Sequence, residues 1–124
     1  MSDSTASAPD GEQEVLFTPL VESHPELAEE LAWRYANRFL AEAGLDSKHL
    51  QEAHDTVELR LGPSDPEGGR ELRIRSFITG TTYWFGPWDG SASKAEQFVD
   101  EAAKLQGSNI QDERRHGRPL PWDA

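Results

Sequence analysis

The chain has 124 residues, a formal net charge of −11 and no cysteine, which suits one domain with a modest core. Disulfides, thiolate metal sites and cysteine nucleophiles are therefore excluded, and so short a chain leaves little room for the deep pocket of a cofactor enzyme. The acidic charge also opposes general binding to a nucleic-acid backbone.

Residues 1–14 are predicted to form a disordered acidic tail. They carry four acids, no base and no apolar run, so they cannot offset the entropy cost of ordering and do not resemble a signal peptide. No apolar run in the chain approaches the length of a membrane span. The sequence therefore predicts a cytoplasmic protein without membrane contact.

A single domain is predicted over residues 15–107, and it begins with an extended segment. Residues 15–21 are apolar and favour β-structure, but Pro19 lacks a donor, which restricts them to an edge strand or an extended segment on the core. A helix is then predicted over residues 24–43, where apolar residues recur at helical spacing.

The ends of this helix are predicted from the residues that flank it. Ser23 and Glu26 have the spacing of a capping box, and Gly44 is suited to a left-handed C-cap. A short helical turn capped by Asp46 should follow.

Three antiparallel strands are predicted next. Residues 57–61 and 71–78 alternate apolar and polar side chains, and residues 81–85 are β-branched and aromatic. Residues 62–69 and 86–90 are rich in Gly and Pro and should form loops.

The second helix is predicted over residues 94–106, with Ser93 as its cap and Gly107 as its stop. Residues 108–124 should be a flexible basic tail with a Pro-Trp segment. The predicted fold class is α+β, a two-layer sandwich of order α-β-β-β-α, with a three-stranded antiparallel meander and two helices on one face.

The sheet face turned away from the helices is the candidate binding site. It combines arginines with aromatic rings, the residue types enriched in binding hot spots, and its predicted members are Arg60, Arg73, Arg75, Phe77 and Trp84. In the alternative register, Tyr83 and Phe85 replace Trp84. The competing interpretation is ordinary pairing of the three arginines with Glu58 and Glu71.

Two aromatic segments leave alternatives open. Trp84 and Trp88 flank a tight turn, which could be an exposed knob for a partner or a small core that closes the loop onto the second helix. The segment 114–122 is basic and then Pro-rich, so it could be a linear recognition motif, fold back through Trp122, or have no role.

Neither a metal site nor a catalytic site is predicted. His49, Glu52, His54 and Asp55 come closest to a metal motif, but the two histidines are five positions apart, which places them about 140° apart on an ideal helix. A solvated turn is the simpler interpretation. The sequence has neither a nucleophile elbow nor a phosphate loop, and no cofactor is expected.

In topology, the order of elements over residues 24–106 resembles the double-stranded RNA-binding domain. That family binds phosphates through lysines at the start of its second helix, and here Lys94 alone stands there, followed by Asp100 and Glu101. The resemblance implies no site residue in this chain. The low pI and the helix–meander–helix core are also similar to the small acidic chaperones of type III secretion, which normally continue with further strands and a helix.

The sequence favours a non-enzymatic protein-binding module of the adaptor, inhibitor or immunity-protein type. An unknown protein partner would contact the open sheet face, an acidic patch or a tail, and a homodimer through the sheet face is one such arrangement. The alternatives are a nucleic-acid-binding domain that uses the arginine face, a chaperone of the type III secretion kind, and a small hydrolase or isomerase.

Deletion of residues 1–14 should change the melting temperature by less than a few degrees, because their composition offers nothing to pack. Thermal unfolding of the full and shortened chains, followed by circular dichroism, measures this. A large drop would show that the segment is part of the fold.

Overall fold

A computed structural model describes residues 17–63, 69–120 and 122. The tail predicted over residues 1–14 lies outside the described residues. In chain order the elements are β1 (Thr18–Pro19), α1 (Leu20–Ser23), α2 (Pro25–Ala43), a 3₁₀ turn (Ser47–His49), α3 (Leu50–Asp55), β2 (Val57–Leu61), β3 (Arg70–Ser76), β4 (Thr82–Trp88) and α4 (Ala92–Arg115).

The described strands form one antiparallel sheet in the order β1-β2-β3-β4. Helix α2 packs on β2, and α4 packs on β3 and β4, which confirms the predicted two-layer α+β sandwich. The sheet has four strands rather than three, because Thr18 and Pro19 pair with Leu61 and Arg60. The prediction of an edge strand around Pro19 is thus confirmed for these two residues.

The hydrophobic core lies between the helices and one face of the sheet. The apolar side chains of alternate strand residues pack against the apolar stripe of α2. Among the large buried side chains are Leu31, Tyr35, Phe39, Leu61, Leu72 and Ile74. Burial raises the pKa of the Tyr35 hydroxyl well above its usual range. No helix among the described residues combines the length and the apolar character that a bilayer crossing requires.

The start of α2 differs from the prediction, and its end agrees with it. Ser23 does not cap the helix, because it closes the short helix α1, and its Oγ lies 2.7 Å from His24 Nδ1. His24 occupies the N-cap position. Gly44 ends α2 with a φ of 71° as expected, and Asp46 caps the following turn by accepting from Lys48 N.

Helix α4 begins earlier and ends later than predicted. Its cap is Ser91, whose Oγ accepts from Lys94 N at 3.1 Å, so the assignment of Ser93 was wrong. Gly107 does not stop the helix, which continues to Arg115. The residues assigned to a flexible tail from 108 onward are therefore helical in their first two turns.

Gly107 stands where α4 crosses α2 most closely. A Cβ at this position would lie 2.6 Å from Glu42 Cβ and 3.1 Å from Ala43 N, so the absence of a side chain lets the two backbones meet. Farther along the crossing, Arg34 donates to both carboxylate oxygens of Asp100 at 2.8 and 2.9 Å. Glycine here serves helix packing rather than helix termination.

The chain beyond α4 returns to the domain. Leu120 is 3% exposed and belongs to the core cluster, and the Trp122 ring stacks on His49 at 5.2 Å. Of the three alternatives for the C-terminal segment, folding back through Trp122 is the one that these residues adopt.

Gly107→Ala should lower the free energy of unfolding by about 1–3 kcal/mol, the cost of overpacking a dense contact. The new methyl group would clash with Glu42 and Ala43, and this outweighs the gain of about 1 kcal/mol in helix propensity. Chemical denaturation checks the value. Ser108→Ala, at the exposed neighbouring position, is the matched control and should be nearly neutral. Equal or greater stability of the Gly107 variant would contradict the proposed close contact.

Candidate binding face

The outer face of the sheet is the side turned away from α2 and α4. By strand register its members are Glu58, Arg60, Glu71, Arg73, Arg75, Thr82 and Trp84. The alternative register is excluded, because Tyr83 and Phe85 point toward the helices. The Tyr83 hydroxyl donates to Gln106 Oε1 at 2.8 Å, and the Phe85 ring stacks on Phe98 at 5.1 Å. Trp84 therefore belongs to the outer face, as the first interpretation expected.

Arg73 packs against two aromatic rings that also contact each other at the centre of this face. Its guanidinium carbon lies 5.3 Å from the Phe17 ring centroid and 5.6 Å from that of Trp84. The two rings meet edge to face at 5.3 Å, and Arg73 is only 4% exposed. The prediction of an exposed arginine here was wrong, because Phe17, next to β1, folds over the side chain. We call these three residues the Arg73 cluster.

The Arg60 guanidinium forms a hydrogen bond and an ion pair within the protein. Its guanidinium donates to the Phe17 carbonyl at 2.9 Å and lies 3.1 Å from Glu58 Oε2. For this arginine, the interpretation as ordinary ion pairing is the one that the geometry supports. The pair also fixes the backbone of Phe17, and thereby helps to place its ring over Arg73.

Arg75 and Phe77 form the second aromatic–arginine contact. The Arg75 guanidinium carbon lies 5.3 Å from the Phe77 ring centroid, and Phe77 is 53% exposed. Arg75 is partly exposed and stands between Glu58 on β2 and Thr82 on β4. This arginine thus retains some surface that solvent can reach.

Trp84 is 46% exposed and borders a cleft at one end of the outer face. The cleft has a volume of about 630 Å³, and Phe17, Pro63, Arg70 and Pro87 are among the residues that line it. Its wall is mainly apolar, with the Arg70 side chain fixed by a 2.8 Å hydrogen bond from Nε to the Gly62 carbonyl. The cleft is large enough to receive one or more apolar side chains.

Trp88 is buried and is not part of the outer face. It is 3% exposed, and its Nε1 donates to the Ser91 carbonyl at 2.8 Å. The ring also meets His24 at 5.4 Å. The burial of Trp88 agrees with the interpretation as a small core against the second helix, and its assignment to an exposed knob was wrong. The predicted turn is absent from this position, because residues 86–88 continue strand β4.

The two central histidines are held apart by separate aromatic partners. His54 stacks on Trp33 at 3.9 Å, with Nδ1 2.9 Å from Asp55 Oδ1 and Nε2 3.2 Å from Glu29 Oε2. The hydrogen bond from His54 is the main cause that holds the pKa of Asp55 below its usual range. His49 instead contacts the C-terminal segment. Within the described ranges, no group of three His, Asp or Glu side chains could hold a metal ion.

A buried polar network behind the sheet was not predicted from the sequence. Gln106 is fully buried in α4, and its side-chain amide exchanges hydrogen bonds with Thr79 and accepts one from Tyr83. Asn109 donates to the Tyr83 hydroxyl at 3.1 Å, and burial raises the pKa of Tyr83. The network ties β4 to α4 and fixes the strand orientation that turns Trp84 outward.

Comparisons with protein-family models, with characterised proteins and with solved structures found no match to this chain. The candidate site therefore rests on its own geometry.

Arg73→Glu should destabilise the fold by about 3 kcal/mol, because it buries a carboxylate against aromatic faces that favour a cation. Arg75→Glu makes the same charge change at a partly exposed position and should cost about 1 kcal/mol or less. Urea denaturation of both variants measures the difference. If the two variants were equally stable, the Arg73 cluster would have no structural role.

Proposed function

We propose that this chain is a non-enzymatic protein-binding module, of the adaptor, inhibitor or immunity-protein type, and that its outer face is the contact surface. The observation that carries the proposal is the pair of half-exposed rings, Phe77 and Trp84, each packed against an arginine on one face of the sheet. Large aromatics and arginine dominate the energetics of protein interfaces.

The packing of Trp84 reduces the entropy cost of binding. Phe17 contacts its ring edge to face, and Arg73 lies beneath it, so the indole is already ordered before a partner arrives. A side chain that is immobilised in advance avoids a binding cost of about 0.5–1.5 kcal/mol. The same contacts leave 46% of the residue exposed, which is ample surface for a partner.

The distribution of charge on this chain favours a partner with an acidic contact surface. The chain as a whole carries −11, whereas the outer face holds three arginines against two glutamates. Arg73 is buried and Arg60 is paired with Glu58, so Arg75, which is partly exposed, is the arginine that a carboxylate of the partner would meet. The outer face is therefore positive although the chain as a whole is negative, and this difference would orient an acidic partner toward the sheet and away from the helices. Binding of this kind should weaken as the salt concentration rises.

Nucleic acid is a weaker candidate for the same face. Stacked aromatics with arginine also suit single-stranded nucleic acid, but Arg73 is buried and Arg60 is paired with Glu58. Little guanidinium surface is left to neutralise phosphates, and the overall charge is repulsive. The cytoplasmic compartment and a homodimeric state remain predictions.

Trp84→Ala should weaken binding of the physiological partner at least about tenfold, the loss expected for a hot-spot aromatic. The partner is first captured from an extract of the source cells with the wild-type chain, and is then purified and titrated by calorimetry. Leu105→Ala is the matched control, since Leu105 is also exposed, at 43%, but lies on α4.

Equal affinities of the Trp84 and Leu105 variants would place the contact elsewhere. A parallel titration with fluorescent oligothymidine tests the nucleic-acid alternative. Submicromolar, salt-sensitive binding of the oligonucleotide that Trp84→Ala removes would replace the proposed function with nucleic-acid recognition.

A further inference from the structure

Strand β4 is the edge of the sheet among the described residues. Ser76 N donates to Thr81 O at 2.9 Å, and in an antiparallel ladder the bonded pairs then recur at every second residue. Tyr83 and Phe85 therefore bond to β3 through their backbones. The backbone N–H and C=O groups of Thr82 and Trp84 point away from the sheet.

The two edges of the sheet differ in how well they are protected against further pairing. The β1 edge is two residues long and contains Pro19, which is how proteins commonly block an edge strand. In contrast, residues 79–85 contain neither proline nor a charged side chain, and the proline of β4, Pro87, stands next to the last residue of the strand. This stretch of β4 and its preceding turn is a suitable template for one more strand.

We infer that an extended acidic segment of a partner protein pairs with the β4 edge as an added strand. The inference rests on the proposed function and specifies how the outer face is used. Main-chain hydrogen bonds to Thr82 and Trp84 would supply affinity, and alternate side chains of the added strand would supply specificity.

The charge of the segment follows from the side chains next to the edge. Arg75 lies directly opposite Thr82 in the register, so its long side chain can extend across Thr82 toward the outer-face residue that an added strand would pair with Thr82. Residues 79–88 themselves are uncharged, and they offer an acidic segment no repulsion. A carboxylate on the outer side of that strand is the complement to Arg75.

The added strand could also insert one apolar side chain into the cleft beside Trp84. The cleft beside Trp84 lies at the Gly86–Pro87 end of β4 and is walled by Phe17 and Pro63. An outer-face residue of the added strand, two positions from the carboxylate, would reach this cleft because side chains repeat on one face every second residue.

The probe is the peptide acetyl-Thr-Glu-Thr-Phe-Thr-Glu-Thr-amide, which places Glu, Phe and Glu on one face of a strand. Two N-methylated isomers carry three methyl groups each, either on the last three Thr residues or on the two Glu residues and the Phe. An added strand bonds through alternate amides, so one isomer should lose at least about tenfold in affinity and the other should keep it. Equal affinities of the two isomers would overturn strand pairing.

Amide hydrogen exchange on the full chain locates the contact. Saturating peptide should slow exchange at Thr82 and Trp84 at least about tenfold, whereas Tyr83 and Phe85 are already protected by β3. Protection of any other strand edge, or unchanged exchange at these two amides, contradicts the inference.

Charge-reversal variants test the acidic preference. Arg75→Glu should weaken peptide binding about tenfold, and Arg114→Glu, which changes the net charge equally at an exposed site on α4, should leave it within about twofold. A peptide with Lys in place of Glu should not bind detectably. Equal binding of the Lys peptide would overturn the assignment of an acidic ligand.

The outcomes separate this inference from the proposed function. If Trp84→Ala abolishes binding of the purified partner while neither N-methyl isomer is impaired, the outer face is the contact surface and strand addition is wrong. If sedimentation shows a dimer in which Thr82 and Trp84 are already protected without peptide, a second copy occupies the edge, and the acidic-segment inference fails.

Discussion

The crossing of α2 and α4 is the contact on which the rest of the fold depends. Each helix covers part of one sheet face, and neither is wide enough to cover it alone. The two can share that face only if they lie side by side, and Gly107 permits the distance that this requires. The ion pair of Arg34 with Asp100 closes the solvent side of the same crossing. The outer face is left without a helix as a direct result.

The periodic parts of the sequence were sufficient to predict the layers. Strands β2 and β3 are each buried on one face, so every second residue is apolar. Helix α2 is also buried on one face, so its apolar residues recur every three to four positions. The ends of the elements were less predictable. Ser23 and Ser93 both satisfy a local capping pattern, yet the tertiary structure places the helix starts at His24 and Ser91.

The same distinction holds for the candidate site. Strand alternation correctly predicted which arginines share a face, because it depends on local geometry. It could not predict that Arg73 is buried, since the side chain that covers it, Phe17, comes from a segment far away in the sequence. Trp88 was misassigned for a related reason: the chain continues as a strand past Phe85, with an irregular register, and turns the indole inward.

The dominance of α4 in the core also has a consequence during synthesis. Residues 92–115 are made after all four strands and α2, yet they supply Ala95, Val99, Ala102 and Ile110 to the buried cluster. Until α4 emerges, the nascent chain presents an apolar stripe and one apolar sheet face together. Partly folded chains with exposed apolar surface are prone to aggregate. The chain is therefore most prone to aggregation in the interval before α4 packs against the sheet and α2.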